Sequence, residues 1–309
     1  YLFYSQWHKL RDYASEKDIL IMGDLPIFVS YDSSDVWGNQ DLFKMDAEGK
    51  PEKVAGVPPD YFSETGQLWG NPVYNWEKMM NNRFKWWKSR FGVLSNIVDL
   101  LRIDHFRGFR ATWEVPASAE TAIEGEWVRT PGDEFFSEIT NAYPNIDIIA
   151  EDLGTITKDV RQLMKKFGFP GMKVMHFAFS GGEFECPFYQ PHTYERNCLA
   201  YTGTHDNDTT AGWLMHVKAN DPDTYRRVRE YLKTNEEIPV GPMVDSLHSS
   251  EAGITVAPFQ DYLELSSEAR MNVPGTTSIS NWSWRCKKED ISDSNAALIR
   301  ERLVSAGRV

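Results

Sequence analysis

The chain has 309 residues and a formal net charge of −12, with 41% hydrophobic and 25% charged residues. That acidity argues against a nucleic-acid partner, since a phosphate backbone selects basic surfaces. No run approaches the ~18 consecutive apolar residues of a membrane span, so no membrane partner is expected.

Three cysteines, Cys186, Cys198 and Cys286, are too few and too scattered for a disulfide framework or a zinc site. A reducing compartment follows, with neither metal nor other cofactor. The 11 Trp, 13 Tyr and 17 Phe are the unusual feature. Core packing accounts for most of them; those in loops are candidates to lie against a flat ligand such as a sugar ring.

Residues 1–16 read as an amphipathic helix with Phe3, Trp7, Leu10 and Ala14 on one stripe. A start at Tyr1 rather than Met, with no visible signal peptide, suggests that something upstream has been removed. Residues 19–23 read as a buried strand ending at Asp24. Residues 30–74 are polar, aromatic and full of turn signals, too long a connection to lack a use. Asn75 is placed to cap a helix from Trp76 to Arg90.

The apolar run around "LLRI" (100–103) reads as a strand, followed by a helix over 132–142 and the strand "IDIIAEDL" (146–153). Thr157 is placed to cap a helix over 158–167 that ends at Gly168. The strand "GMKVMHFAF" (171–179) follows, then "CLAYTGTHD" (198–206), where Thr209 and Thr210 start a helix. Helices near 222–235 and 243–251 lead to "ITVAPFQDY" (254–262), and a last helix covers about 293–306. Such alternation argues for an α/β fold with a parallel sheet. No linker or repeat divides the chain, so a single domain over 1–309 is the simplest reading.

The ends of the expected strands carry Asp24, then Arg102–Asp104–His105, Glu151–Asp152, His176, His205–Asp206 and Gln260–Asp261. Burying so many polar groups is costly unless they share a wet cleft. In a barrel of alternating strands and helices that cleft lies at the C-terminal face. Carboxylates dominate and no nucleophilic Ser or Cys motif appears. Paired carboxylates suit glycosidic chemistry, one attacking the anomeric carbon and one protonating the leaving oxygen. Arg102, two residues before Asp104 on a strand, shares its face and would keep it ionised; Glu151 needs an apolar or negative setting to hold a proton. Plainer readings stand beside these. Arg102–Asp104 is also a pattern for a structural ion pair, and Glu151–Asp152 for an acidic pair at a helix N-terminus. His105, His176 and His205 evoke a metal site, although no H-x-H pair is present.

The segments "GDLPIFV", "VAGVPPDYFSETGQLWGNPVYNW", "LRIDHFRGF", "IIAEDLG" and "YTGTHDNDT", in this order and spacing, resemble the 4-α-glucanotransferases (glycoside hydrolase family 77, α-amylase clan). The resemblance covers essentially the whole chain. It implies a (β/α)8 TIM-barrel fold with strands 3–8 present here. The first two strands have no counterpart, so the chain is expected to be a C-terminal portion, its barrel completed by a further N-terminal segment or by self-association. It implies Asp104 as nucleophile, Glu151 as general acid/base and Asp206 as the third carboxylate. Arg102 and His205 match supporting positions, and Asp24 is expected near the donor sugar. Tyr61, Phe62, Gln67 and Trp69 fall in the loop at about 30–74 expected to cover the cleft on the acceptor side; Gln260, Asn272 and Asn281 are weaker sugar contacts. His176 stands where the family has glutamine. The implied reaction is retaining transfer of an α-1,4-glucan segment to the 4-hydroxyl of a malto-oligosaccharide or glucose. The implied setting is cytoplasmic, or plastidial for a plant source. An α-amylase-type hydrolase, an inactive glucan-binding fragment and a metal hydrolase are the competing readings.

Overall fold

The structure is a computed structural model that describes residues 1–59, 63–154, 156–179 and 187–309. The chain divides into two compact units, Tyr1–Gly171 and Met172–Val309. Among the described residues no helix is long and apolar enough to cross a membrane.

The first unit contains, in order, α1 (Leu2–Ser15), β1 (Met22–Leu25), α2 (Ser34–Gly38), β2 (Lys53–Val57), β3 (Gln67–Pro72), α3 (Trp76–Asn81), α4 (Lys85–Ser95), β4 (Leu100–Ile103), β5 (Ala111–Pro116), β6 (Glu126–Arg129), α5 (Gly132–Ala142), β7 (Asp147–Ala150) and α6 (Lys158–Phe167). β1, β4 and β7 form a parallel sheet in which Asp24 pairs with Arg102, and Arg102 with Ile149. Leu101, Ile103, Ile149 and Ala150 are all but fully buried, as strands covered on both faces require. The core beneath is aromatic: Phe109 and Phe135 stack with centroids 4.6 Å apart, and Trp87, Phe91, Phe106 and Phe136 are sealed from solvent. Each ring so buried contributes roughly 1.5–3 kcal/mol.

Three expectations need correction here. The stripe foreseen on α1 is not its contact line: Phe3 and Leu10 are more than half exposed. Trp7 Nε1 donates to the Ile97 carbonyl at 2.7 Å, Arg11 pairs with Asp99 at 2.8 Å and Ala14 is buried, so the line runs i, i+4, i+7 from Trp7. The helix expected from Trp76 to Arg90 is two helices. Arg83 and Phe84 take left-handed conformations (φ +55° each), and the Asn82 carboxamide accepts from the Lys85 amide to start α4. The break seats Phe84 edge-on against Phe135 at 5.3 Å, and that burial works against a left-handed cost of about 1–2 kcal/mol per residue. Finally, residues 30–74 are not all irregular. β2 and β3 join β5 and β6 in an antiparallel sheet of order β3-β2-β5-β6. Gly56 hides β2 from a propensity reading, yet the sheet needs it: a Cβ there would lie 2.6 Å from the Gln67 carbonyl oxygen.

β8 (Gly171–Val174) starts at the last residue of the first unit; from there the second unit continues through β9 (Cys198–Tyr201), α7 (Thr210–Asn220), α8 (Pro222–Leu232), α9 (Val240–His248), β10 (Ile254–Val256), α10 (Phe259–Tyr262) and α11 (Asp293–Ser305). Its sheet has the order β10-β9-β8, with β10 and β9 parallel. Thr209 caps α7 as foreseen, its hydroxyl accepting from the Gly212 amide at 3.1 Å.

Candidate active site

At the C-terminal ends of β1, β4 and β7 the first unit gathers four charged groups. Arg102 is the keystone. Its side chain is 9% exposed, and the parallel register sets it beside Asp24. Nη1 donates to both carboxylate oxygens of Asp24 at 2.8 and 2.7 Å, and Nη2 donates to Asp104 Oδ1 at 2.9 Å. Burial alone would lower the guanidinium pKa; Asp24, Asp104 and Glu151 outweigh it and raise it. Asp24 and Asp104 stay 44% exposed, so both carboxylates meet solvent while their shared cation does not.

Glu151 follows β7. Its Oε2 accepts from the His105 amide at 2.8 Å and its Oε1 from the Leu153 amide at 2.7 Å. Its pKa is pushed up to about 7, first by burial and then by the charge of Asp104, against the pull of Arg102 and the two amides. One carboxylate paired with a permanent cation and a second poised to hold a proton near neutrality is the division of labour that acid-assisted nucleophilic attack requires. Glu151 does not open a helix: α6 begins only at Lys158, and the acid in its first turn is Asp159.

His105 lies between the two acids in the left-handed region (φ +49°). Burial lowers its pKa to about 4, so the ring is neutral at pH 7. Trp69, 36% exposed on β3, meets that ring edge-on at 4.9 Å, and its Nε1 donates to Gln67 Oε1 at 3.2 Å. The foreseen Gln67 and Trp69 are thus exposed on the strand edge, with Trp69 against the segment of Asp104. Tyr61 and Phe62 lie outside the described residues.

In the second unit, Asp206 and His205 follow β9. Asp206 Oδ1 accepts from Asn272 Nδ2 at 2.7 Å, and Asp206 Oδ2 lies 3.4 Å from His205 Nε2. Arg270 locks the pair, donating to the carbonyls of Asp206 and Asn272 at 2.7 Å each. Trp282 covers the His205 ring at 5.2 Å. Sequence reading missed Arg270 and Trp282, because both act through contacts distant along the chain. Gln260 is buried and donates to the Ala269 carbonyl at 3.1 Å, and Asn281 accepts from the Val273 amide at 3.2 Å. His176 is also buried, stacked on Trp213 at 4.5 Å and bonded to Thr210 at 3.1 Å; burial takes its pKa down to about 3.

Residues 1–291 match the protein family described as 4-alpha-glucanotransferase. Among named relatives, the 4-alpha-glucanotransferase of Clostridium butyricum is 47% identical over 288 residues, covering 93% of this chain and 58% of its own. That of Thermus thermophilus is 45% identical over 309 residues, covering 97% and 60%. Among solved structures, the amylomaltase from Streptococcus agalactiae in complex with acarbose superposes with a TM-score of 0.93 at 39% identity, covering all of this chain and 61% of that one. The chain therefore spans a little over half the length of the relatives it matches, and it belongs to the 4-alpha-glucanotransferase family.

Proposed function

We propose that this chain carries the reacting groups of a retaining 4-α-glucanotransferase. In this reading Asp104 attacks the anomeric carbon of an α-1,4-glucan while Glu151 gives its proton to the departing oxygen. The bond to the leaving sugar breaks as the Asp104 ester forms, and the reducing-end piece departs. Glu151, now ionised, takes the proton of an incoming 4-hydroxyl, whose oxygen displaces Asp104. Two inversions retain the α configuration. Malto-oligosaccharides and other α-1,4-glucans serve as donors; the same sugars or free glucose serve as acceptors.

Arg102 holds Asp104 in place through Nη2, and Asp206 takes the third carboxylate role by its place in the ordered motifs, with His205 and Asn272 as its partners. Gln67 and Trp69 take the acceptor sugar, a rigid aromatic edge excluding water from the ester so that transfer outruns hydrolysis. The six strands β1, β4, β7, β8, β9 and β10 are read as strands 3–8 of a (β/α)8 barrel.

One observation carries this reading: Asp104 is tied to a buried arginine while Glu151, one peptide away from it in space, is raised toward neutrality. The test is glucose release from maltotriose by the Asp104→Asn variant. Abolished release with an unchanged unfolding transition is expected; near wild-type release would remove Asp104 from the reaction.

A further inference from the structure

Glu151 is gripped by the segment that carries Asp104. The His105 amide reaches its Oε2 at 2.8 Å, and the Leu153 amide reaches its Oε1 at 2.7 Å. The backbones are tied too: the Glu151 amide donates to the Ile103 carbonyl at 3.0 Å, and the Phe106 amide to the Glu151 carbonyl at 3.2 Å. One main-chain donor therefore comes from each side, and the donor from the Asp104 side depends on an uncommon backbone conformation. His105 has φ +49° and ψ +52°, a region that most side chains avoid. Phe106, sealed in the core, fixes the chain that follows, so the φ of His105 decides where its own N–H points. The turn closes tightly on Gly108, where a Cβ would lie 2.5 Å from Ile27 Cδ1 and 3.2 Å from His105 Cδ2. The imidazole itself points elsewhere, edge-on to Trp69.

We propose that His105 is a positioning residue for Glu151 and acts through its left-handed backbone rather than its ring. It aims a main-chain N–H at one carboxyl oxygen, fixing which oxygen faces the scissile bond and how firmly the proton is held. The inference rests on the acid/base role given to Glu151 above. Its physics is that N–H donors favour the ionised carboxylate. The His105 and Leu153 amides and the Arg102 charge thus work against burial and the Asp104 charge, which favour the protonated form. The neutral imidazole adds no charge to this balance, and Asp24 is held by Arg102.

The test titrates Glu151 directly, by carbon NMR of protein carrying 13C-carboxyl glutamate, the signal being assigned by its loss in Glu151→Gln. Glycine and asparagine accept a positive φ readily; alanine and valine resist it. His105→Val and His105→Ala are expected to raise the Glu151 midpoint by roughly half to one pH unit, about 3–10-fold in proton affinity. His105→Gly and His105→Asn, which keep the backbone and lose the imidazole, are expected to leave it in place. If the valine variant does not fold, the alanine–glycine comparison carries the same contrast. A midpoint that rises as far in the glycine variant as in the alanine variant would overturn the proposal by making the ring the agent; so would a midpoint that no substitution moves. The pH profile of transfer is the separate readout for the catalytic role. If the NMR order holds and the alkaline limb does not follow it, the acid/base assignment falls and the backbone clamp stands.

Discussion

Asp24 directs both of its carboxylate oxygens at one nitrogen of Arg102, which faces it across the parallel register of β1 and β4. The family resemblance implies a place for Asp24 near the donor sugar; the geometry makes it a partner of the arginine that also holds Asp104. A residue acting through Arg102 affects the chemical step more than binding. Asp24→Asn is therefore expected to lower kcat about 10-fold, the worth of roughly one charge-assisted hydrogen bond, with KM little changed. Initial rates against maltotriose concentration separate the two, and a rise in KM alone would return Asp24 to the role of sugar contact.

In the proposed role of general acid, Glu151 sets the upper pH boundary of transfer. Its proton is lost near pH 7, so kcat/KM is expected to fall tenfold per unit well above that value. Glu151→Gln should cut the rate by roughly 10²–10⁴-fold and abolish this limb. A pH–rate profile from 5 to 9 checks both.

The same group makes a stability prediction. A carboxyl whose folded pKa lies above its unfolded value of 4.5 binds its proton more tightly when folded. Both forms are protonated below pH 4.5, so burial costs nothing there. Between about 4.5 and 7 the unfolded chain ionises first, and stability falls as pH rises; above 7 the loss is complete. Denaturant melts of the native protein should lose roughly 3 kcal/mol across this window relative to Glu151→Gln. Parallel curves for the two proteins would place Glu151 in water.

Asn272 holds Asp206 Oδ1 from 66 residues away in sequence. Asn272→Ala removes that bond and is expected to slow transfer about 10-fold. Asn272→Asp sets a like charge against Asp206 and should slow it further. Equal rates for the alanine and aspartate variants would show that Asp206 does not depend on this neighbour.

The aromatic core supplies a check independent of catalysis. Phe135 touches Phe84, Phe109 and Phe136 with centroids 5.3, 4.6 and 4.9 Å away. Truncation leaves a cavity among rings that cannot collapse into it, so Phe135→Ala should destabilise the first unit by roughly 3–5 kcal/mol. Urea titration followed by tryptophan fluorescence measures it.

Local chemistry made much of this protein legible from its sequence. The short apolar runs "LLRI" and "DIIA" form buried strands as read, whereas the run at 19–23 becomes strand only from Met22 on, Ile19 and Leu20 being exposed; Thr209 caps a helix because its hydroxyl lies beside free amides. The family resemblance carried by the ordered motifs named Asp104, Glu151 and Asp206, and within the first unit the fold brings Asp104 and Glu151 to neighbouring strand ends. The tertiary structure decided what depends on partners remote in the chain. Gly56 disguised the antiparallel sheet, because pairing with β5 rather than propensity makes β2 a strand. The helix break at Arg83 and Phe84 answers to Phe135, far along the chain from both. The state of Glu151 depends on Asp104 and on an amide turned toward it by the φ of His105. Proton affinity and side-chain aim are sums over neighbours in space, and only the folded chain fixes those neighbours.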